Sequence, residues 1–407
     1  MNKLPYILAM AVLSVAVSCN DSDDINDQIV VPEQIPVSFS TSITMTKGLV
    51  LGSSGDGSLS IESTGFGVYG YYTEQESWSS GGHTPNFMYN QLVEYNNGWS
   101  YSPLKYWSNV LYDNYSFFAY APYSVDGTAV VTPISVNTDL GAPTLYFEIN
   151  SDASEMVDFV TDYMLDYEYA TDNSAVNFDM KHQLSRLSFS AKADMVDKDS
   201  YVVIKSMSFL VKYSPGLYTS GVYSFDVTSE YGTWSNLEAA TSDYSFDSIM
   251  DGGGSGVKVA GELTNLFKDG QYLFLLPPNG VDGVDSSNTC RVEMIMDIYY
   301  SDLTVVTNAT ASFTLVDGAL KQGYANNYEI TYADTYSVED EPSVNSVLLT
   351  DDVIGNIVVE STESKDYTEP DATESEEAEP EGTDEPEVTE PEPEQSDEVI
   401  TEGDESI

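Results

Sequence analysis

The chain has 407 residues, of which 41% are hydrophobic and 12% aromatic, and its formal net charge at pH 7 is −53. This charge argues against nucleic acid and anionic membrane surfaces as partners, because both need a basic footprint on the protein. The length allows a sizeable core and suggests two domains. Tyrosine is abundant and occurs with Val, Ile, Phe and Thr in short runs between turn-forming residues, which indicates an all-β protein.

The first 18 residues form a predicted signal peptide. Lys3 precedes an apolar stretch, Leu4–Val17, that is shorter than the roughly 20 residues a membrane-spanning helix needs. The pattern resembles a bacterial lipoprotein box, which implies a lipidated Cys19; an ordinary signal peptide is the alternative. The acidic tether, residues 19–34, opens with a run that resembles the surface-export signal of Bacteroidota lipoproteins, with a simple solvated tether as its alternative. That run is Asn20, Asp21, Ser22, Asp23 and Asp24.

Two groups of β-strands are predicted beyond the tether. The first opens with Ile35–Thr44, where apolar and polar residues alternate as in a half-buried strand. Further strands are predicted at 65–72, 87–95, 116–120, 145–150, 175–178, 187–193, 201–211, 222–227, 272–276, 292–299, 305–315 and 328–332. Helical periodicity is scarce, so we expect β-sandwiches, one over residues 35–180 and a second over residues 181–335.

The end of the chain divides into an apolar segment and an acidic tail. Residues 336–361 could supply a strand, and their apolar positions include Val344, Val347, Leu349, Ile357 and Val359. Thr362–Ile407 carries 20 acidic residues and one basic residue, with several Glu-Pro repeats. Such a segment cannot bury enough apolar surface to offset the entropy of ordering it, so it is predicted to be disordered.

Residue patterns that carry enzymatic chemistry are scarce. The two histidines, His83 and His182, belong to no spaced metal-ligand set, and no nucleophile motif is recognisable. Cys290 has no disulfide partner if Cys19 is lipidated, and we expect it to be buried and inert. We therefore predict no enzyme activity, no catalytic residues, no metal site and no cofactor.

Four segments carry a resemblance to a known family. Tyr101–Trp107 and Tyr115–Pro122 resemble the signature of the fimbrillin-like lipoproteins of Bacteroidota, which include the major and minor fimbrial subunits. Met180–Phe189 resembles the start of the family's second half, and Leu320–Tyr332 resembles its closing hairpin. The resemblance implies two tandem transthyretin-like β-sandwich domains and a role in surface fimbriae that involves cell adhesion.

The same resemblance implies assembly by donor-strand exchange with other fimbrillin-like subunits. In the family a trypsin-like protease removes the N-terminal segment, and a strand from another subunit fills the groove left behind. Lys47 is the only basic residue between Cys19 and Lys105, so a cut between Lys47 and Gly48 would release the first strand; a solvated turn lysine is the alternative. The apolar positions of residues 336–361 are the candidate donor strand, unless that segment folds back on its own domain.

The predicted function is a fimbrial subunit, or a tip or anchor component, at the outer face of the outer membrane. Lipidated Cys19 would anchor an uncut chain there. A monomeric surface lipoprotein that binds a glycan or another host or bacterial surface ligand through its loops is the alternative. For that alternative Trp99 and Trp107 are candidate sugar platforms, although we expect both to be packing residues.

Overall fold

The computed structural model describes residues 34–42, 60–110, 112–125, 127–168, 175–315 and 318–333, and the backbone of residues 356–365. Strands dominate these residues, which confirms the predicted all-β class. The one α-helical turn among the described residues, α1 (Ile61–Thr64), begins at Ser60, whose hydroxyl accepts a hydrogen bond from the Ser63 backbone N–H at 3.2 Å. Short 3-10 turns lie at Trp78–Ser80, Ala153–Glu155, Val211–Tyr213, Asp247–Ile249, Gly253–Ser255 and Gly280–Asp282.

The strands fall on both sides of residue 180. Those before it are β1 (Phe39–Ser42), β2 (Phe66–Glu74), β3 (Met88–Tyr95), β4 (Trp99–Ser100), β5 (Asn114–Ala121), β6 (Ser124–Val125), β7 (Thr128–Ala129), β8 (Val131–Pro133), β9 (Thr144–Glu148), β10 (Val160–Glu168) and β11 (Val176–Asp179). Those after it are β12 (Lys181–His182), β13 (Ser185–Asp194), β14 (Tyr201–Phe209), β15 (Tyr218–Ser224), β16 (Thr233–Ala239), β17 (Tyr244–Ser245), β18 (Val257–Val259), β19 (Thr264–Asn265), β20 (Leu273–Leu275), β21 (Arg291–Tyr299), β22 (Val305–Thr314), β23 (Tyr324–Ala333) and β24 (Asn356–Lys365).

The first half of the chain is organised around a six-stranded sheet in the order β12-β10-β5-β2-β3-β4. Its central strand β5 is buried on both faces. Tyr115 and Phe117 point into an aromatic cluster with β1 and β11, whereas Phe118 and Tyr120 point into the larger core shared with the second half. Burial on both faces explains why β5 is a continuous apolar run rather than an alternating one.

The second half contains two five-stranded sheets. One has the order β19-β13-β23-β24, with β20 also paired to β13, and the other has the order β17-β14-β21-β22, with β18 also paired to β14. Most neighbours are antiparallel, but β13 pairs with β23 in parallel, as β1 does with β11. Phe189 on β13 and Phe313 on β22 meet at 6.1 Å between ring centroids, within the core that these sheets enclose.

A four-stranded sheet, β16-β15-β9-β8, joins strands from both sides of residue 180. Its central pair registers Gly221 opposite Phe147 and Tyr223 opposite Leu145. The larger hydrophobic core is correspondingly continuous from β2 and β5 to β23. The division into two domains near residue 180 stays a prediction, and this sheet is the structure that ties the two groups of strands together.

Candidate functional site

The N-terminal strand lies in a slot and is hydrogen-bonded on both of its sides. On one side, the backbone N–H groups of Val176 and Met180 donate to the carbonyls of Ser38 and Ser42, at 2.9 Å and 3.1 Å. On the other side, Val37 N–H donates to the Lys105 carbonyl at 2.9 Å. The Trp107 N–H completes this second wall by donating to the Ile35 carbonyl at 3.0 Å. We call this slot, between β11 and the 105–107 stretch, the strand seat.

The inward side chains of the N-terminal strand fill the seat. Val37 is buried, and Phe39 is only 5% exposed. The Phe39 ring lies 5.9 Å from Phe178, stacked, and 5.6 Å from Phe117, edge to face. It also contacts Phe66 at 6.4 Å between centroids. The strand therefore buries alternate side chains in an aromatic cluster, as the alternation of its sequence predicts.

The family-like segments supply the walls of the seat. The Tyr101 hydroxyl donates to the Val37 carbonyl at 2.9 Å, and its ring lies 5.5 Å from that of Phe39. The Tyr115 hydroxyl accepts from the Ser108 N–H at 2.8 Å and so holds the end of the 105–107 stretch. Burial raises the pKa of both tyrosines to about 12, so the seat is lined by neutral phenols. Sequence reasoning missed these contacts, although the signature segments themselves marked their position.

The residues predicted for lipidation, export and processing lie outside the described residues. These are Cys19, Asn20, Asp21, Ser22, Asp23, Asp24, Lys47 and Gly48. The chain between the seated strand and α1, residues 43–59, contains the predicted cleavage position. The seated strand β1 ends at Ser42, five residues before Lys47.

The C-terminal strand β24 pairs with β23 of the same chain. Its ten residues run antiparallel to β23, from Ala333 opposite Asn356 to Tyr324 opposite Lys365. Ile357 and Val359, two of the candidate donor positions, stand in this ladder opposite Tyr332 and Ile330. The other three, Val344, Val347 and Leu349, lie outside the described residues. β24 ends at Lys365, so the prediction of disorder was wrong for Thr362–Lys365, whose backbone pairs with β23.

Neither histidine lies in a metal-binding cluster of the described residues. His182, on β12, is buried, and its Nδ1 is paired with the carboxylate of Asp158, which lies just before β10. His83 Nε2 lies 3.1 Å from the Ser77 carbonyl, and its ring is 5.6 Å from Trp78. Both imidazoles make structural contacts within the fold.

The Cys290 thiol is buried and burial raises its pKa to about 12, as expected of an inert cysteine.

The two tryptophans considered as sugar platforms are packing residues. Trp107 is buried and stacks on Tyr167 with a centroid distance of 5.4 Å. Trp99 is half-buried between Phe66 and Tyr95, with ring-centroid distances of 4.8 Å and 5.1 Å.

Helices within the described part of the chain are all too short or too polar to cross a membrane.

This chain is similar to known proteins in both sequence and fold. A curated relative, the fimbrium subunit Fim1C of Phocaeicola vulgatus, is 29% identical over 298 residues, which are 66% of this chain and 77% of that protein. A crystal structure of a fimbrial protein from Bacteroides vulgatus has the same fold, with a TM-score of 0.63 and 22% identity over 81% of this chain and 99% of the other. The chain therefore has the all-β fold of a solved fimbrial protein.

Residues 57–346 match the fimbrillin-like family, and the chain belongs to that family. The match includes the four segments on which the sequence resemblance was based. It also covers the wall of the seat formed by residues 105–107, whereas the seated strand itself precedes it.

Proposed function

We propose that this chain is a subunit of surface fimbriae and that it assembles by exchange of the strand in its seat. The observation that carries the proposal is the double set of hydrogen bonds around Ile35–Ser42. The 105–107 stretch bonds this segment at Ile35 and Val37, and β11 pairs with its second half, Ser38–Ser42. Its inward side chains are buried, yet it is joined to α1 and the strands that follow only through the segment that contains Lys47.

The physical consequence of removing this segment supports the proposal. The N–H groups of Trp107, Val176 and Met180 and the carbonyl of Lys105 would lose their partners. A buried group left without a partner costs about 1–3 kcal/mol, and the aromatic cluster would also be exposed to water. An extended strand from a second subunit restores the hydrogen bonds through its backbone and the packing through alternate side chains.

The C-terminal segment is the proposed donor. Its pairing with β23 of the same chain supports a subunit that holds its own C-terminal strand before assembly, at the edge of a sheet. Val344, Val347 and Leu349 would enter the seat of the next subunit together with Ile357 or Val359. A chain that keeps β24 permanently on β23 would instead serve at the tip of a fimbria or alone.

Cleavage at Lys47 would convert an anchored subunit into a polymerising one. Before the cut, lipidated Cys19 holds the chain at the outer face of the outer membrane, with the export signal Asn20–Asp24 directing it there. After the cut between Lys47 and Gly48, the lipid and the seated strand leave together. An uncut chain would act as the anchor.

A pair of lysine variants and a C-terminal deletion test this function. Lys47→Gln in the full chain should abolish laddered, heat-labile multimers in surface extracts, whereas Lys198→Gln, at an exposed loop lysine, should not. Deletion of residues 343–407 should abolish the multimers and leave a folded monomer. Multimers formed by Lys47→Gln would contradict processing at Lys47, and an unfolded deletion variant would show that β24 completes its own fold instead of being donated.

A further inference from the structure

A cavity of about 370 Å³ lies between the β15–β16 hairpin and the loop that follows β20. The residues that line it are distant in sequence from those of the strand seat. Its size falls in the range of ligand pockets, roughly 300–1,000 Å³. The residues that line it and matter for its chemistry are Asp226, Gly232, Trp234, Pro277, Pro278 and Gln322. Neither the sequence patterns nor the family assigned it a role.

The floor of the cavity presents an oriented amide. Gln322 is 1% exposed, and its Nε2 donates to the Gln183 Oε1 at 2.7 Å and to the Gly232 carbonyl at 3.1 Å. Gln183 is itself fixed, because its Oε1 also accepts from the Gly232 N–H and its Nε2 donates to the Lys181 carbonyl. These bonds leave only one orientation for the Gln322 amide.

The Gln322 Oε1 lines the cavity and accepts no hydrogen bond from the described residues. It lies beside Gly280, where an added Cβ would be 3.4 Å from this oxygen. An acceptor that is open at the floor of a cavity can take a hydrogen bond from a ligand that donates one.

One wall of the cavity is a fixed aromatic ring. The Trp234 Nε1 donates to the Gln183 carbonyl at 3.0 Å, and the ring packs against Tyr223 at 5.3 Å and Phe159 at 5.8 Å. Pro277 and Pro278 add apolar surface to the lining. The cavity therefore offers rigid apolar surface to a ligand with an apolar face of its own.

The rim adds one anionic acceptor. The Asp226 Oδ1 accepts from the Thr228 hydroxyl at 2.6 Å and from its N–H at 2.9 Å, and these bonds lower the pKa of the Asp226 carboxyl. The ionised carboxylate keeps its second oxygen without a hydrogen bond from the described part of the chain. Asp226 is the single charged residue among those that line the cavity.

We propose that this cavity binds a sugar ring, as one unit of a neutral glycan. A pyranose offers hydroxyl donors to the Gln322 Oε1 and the Asp226 carboxylate, and its C–H face suits the Trp234 and proline surface. An ammonium or guanidinium group could pair with Asp226 at the rim, but it fits less well because the buried floor is neutral and gives it no second anionic partner. The inference stands apart from strand exchange, since no residue of the strand seat lines the cavity.

The test is calorimetric titration of the chain from Asn20 onwards with glucose, galactose, mannose, fucose and N-acetylglucosamine, and with lysine methyl ester as a cationic probe. Val281, which lines the cavity and is 51% exposed, is changed to Trp to block the cavity without disturbing the core. Val196→Trp, at a site 70% exposed and outside the cavity lining, is the matched control.

We expect at least one sugar to bind with a dissociation constant of about 10 mM or lower, weakened at least about tenfold by Val281→Trp and unchanged by Val196→Trp. Asp226→Asn should weaken the same sugar several-fold. Three results would each overturn the proposal: no sugar binding at concentrations up to about 50 mM, equal binding by the Val281→Trp variant, or binding of the cationic probe alone.

Discussion

The side chain of Phe39 offers the sharpest test of the strand seat. Phe39 is nearly fully buried and its ring contacts Phe66, Tyr101, Phe117 and Phe178 at centroid distances between 5.5 and 6.4 Å. A buried Phe→Ala change costs about 3–5 kcal/mol, from lost burial and from the cavity left behind. Since a folded domain is stable by only about 5–15 kcal/mol, Phe39→Ala should remove a large part of that margin.

The assay is urea unfolding of the chain from Asn20, followed by intrinsic fluorescence. With a slope of about 2–3 kcal/mol per M, a loss of about 4 kcal/mol moves the midpoint down by roughly 1.3–2 M. Ser40→Ala is the control: Ser40 follows Phe39 on the strand and donates to the Asn177 Oδ1 at 3.0 Å at the surface. Its loss should cost no more than about 1 kcal/mol. Equal midpoints for the two variants would refute the packing of this strand in the seat.

Three further predictions concern the core and its titratable groups. Gly67→Ala places a Cβ 2.3 Å from the Tyr120 ring and should destabilise the chain by about 1–3 kcal/mol in the same assay, whereas Gly254→Ala, in open space, should be neutral. Cys290 should react with a thiol reagent at least roughly 100-fold faster in the unfolded chain than in the native one; equal rates would contradict its burial. Burial raises the pKa of Asp162 to about 6, and the unfolded carboxyl titrates near 3.9, so its contribution to the free energy of unfolding should fall as pH rises through about 4–6. An NMR titration of this carboxyl with a midpoint below about 4 would contradict that shift.

The sequence predicted the strands whose local pattern is strong. β2, β5, β13, β14 and β21 all overlap the apolar runs from which they were predicted. β10 was missed, because its carboxylates at Asp162, Asp166 and Glu168 interrupt the alternation and a bulge lies between Met164 and Tyr167. The β-strand character of β10 depends on its long-range pairing with β5, which no local pattern reveals.

Long-range pairings were the least predictable part of the fold. β16, with Asn236 and Glu238 in its sequence, is an edge strand that pairs with β15 alone among the described strands, and it has a weak apolar pattern. The parallel pairs β1–β11 and β13–β23 join segments more than a hundred residues apart. Parallel strands need long connections, so their partners are set by packing of the whole chain rather than by neighbouring residues.

The seat was foreseen only in outline. Alternation in Ile35–Thr44 indicated a half-buried strand, and the signature Tyr101–Trp107 indicated a segment that matters. That the second segment holds the first, through the Tyr101 hydroxyl and the backbone of Lys105 and Trp107, depends on three-dimensional contacts. The Gln322 cavity was not foreseen at all, because Gln183, Gly232 and Gln322 meet only in the folded chain.

The most direct test of strand exchange is the N-terminal sequence and intact mass of this chain in fimbriae sheared from the cell surface. Strand exchange predicts Gly48 as the N-terminus of assembled subunits, with Ile35–Ser42 absent and the seat filled by another subunit. Assembled subunits that all begin at acylated Cys19 and retain the seated strand would contradict it.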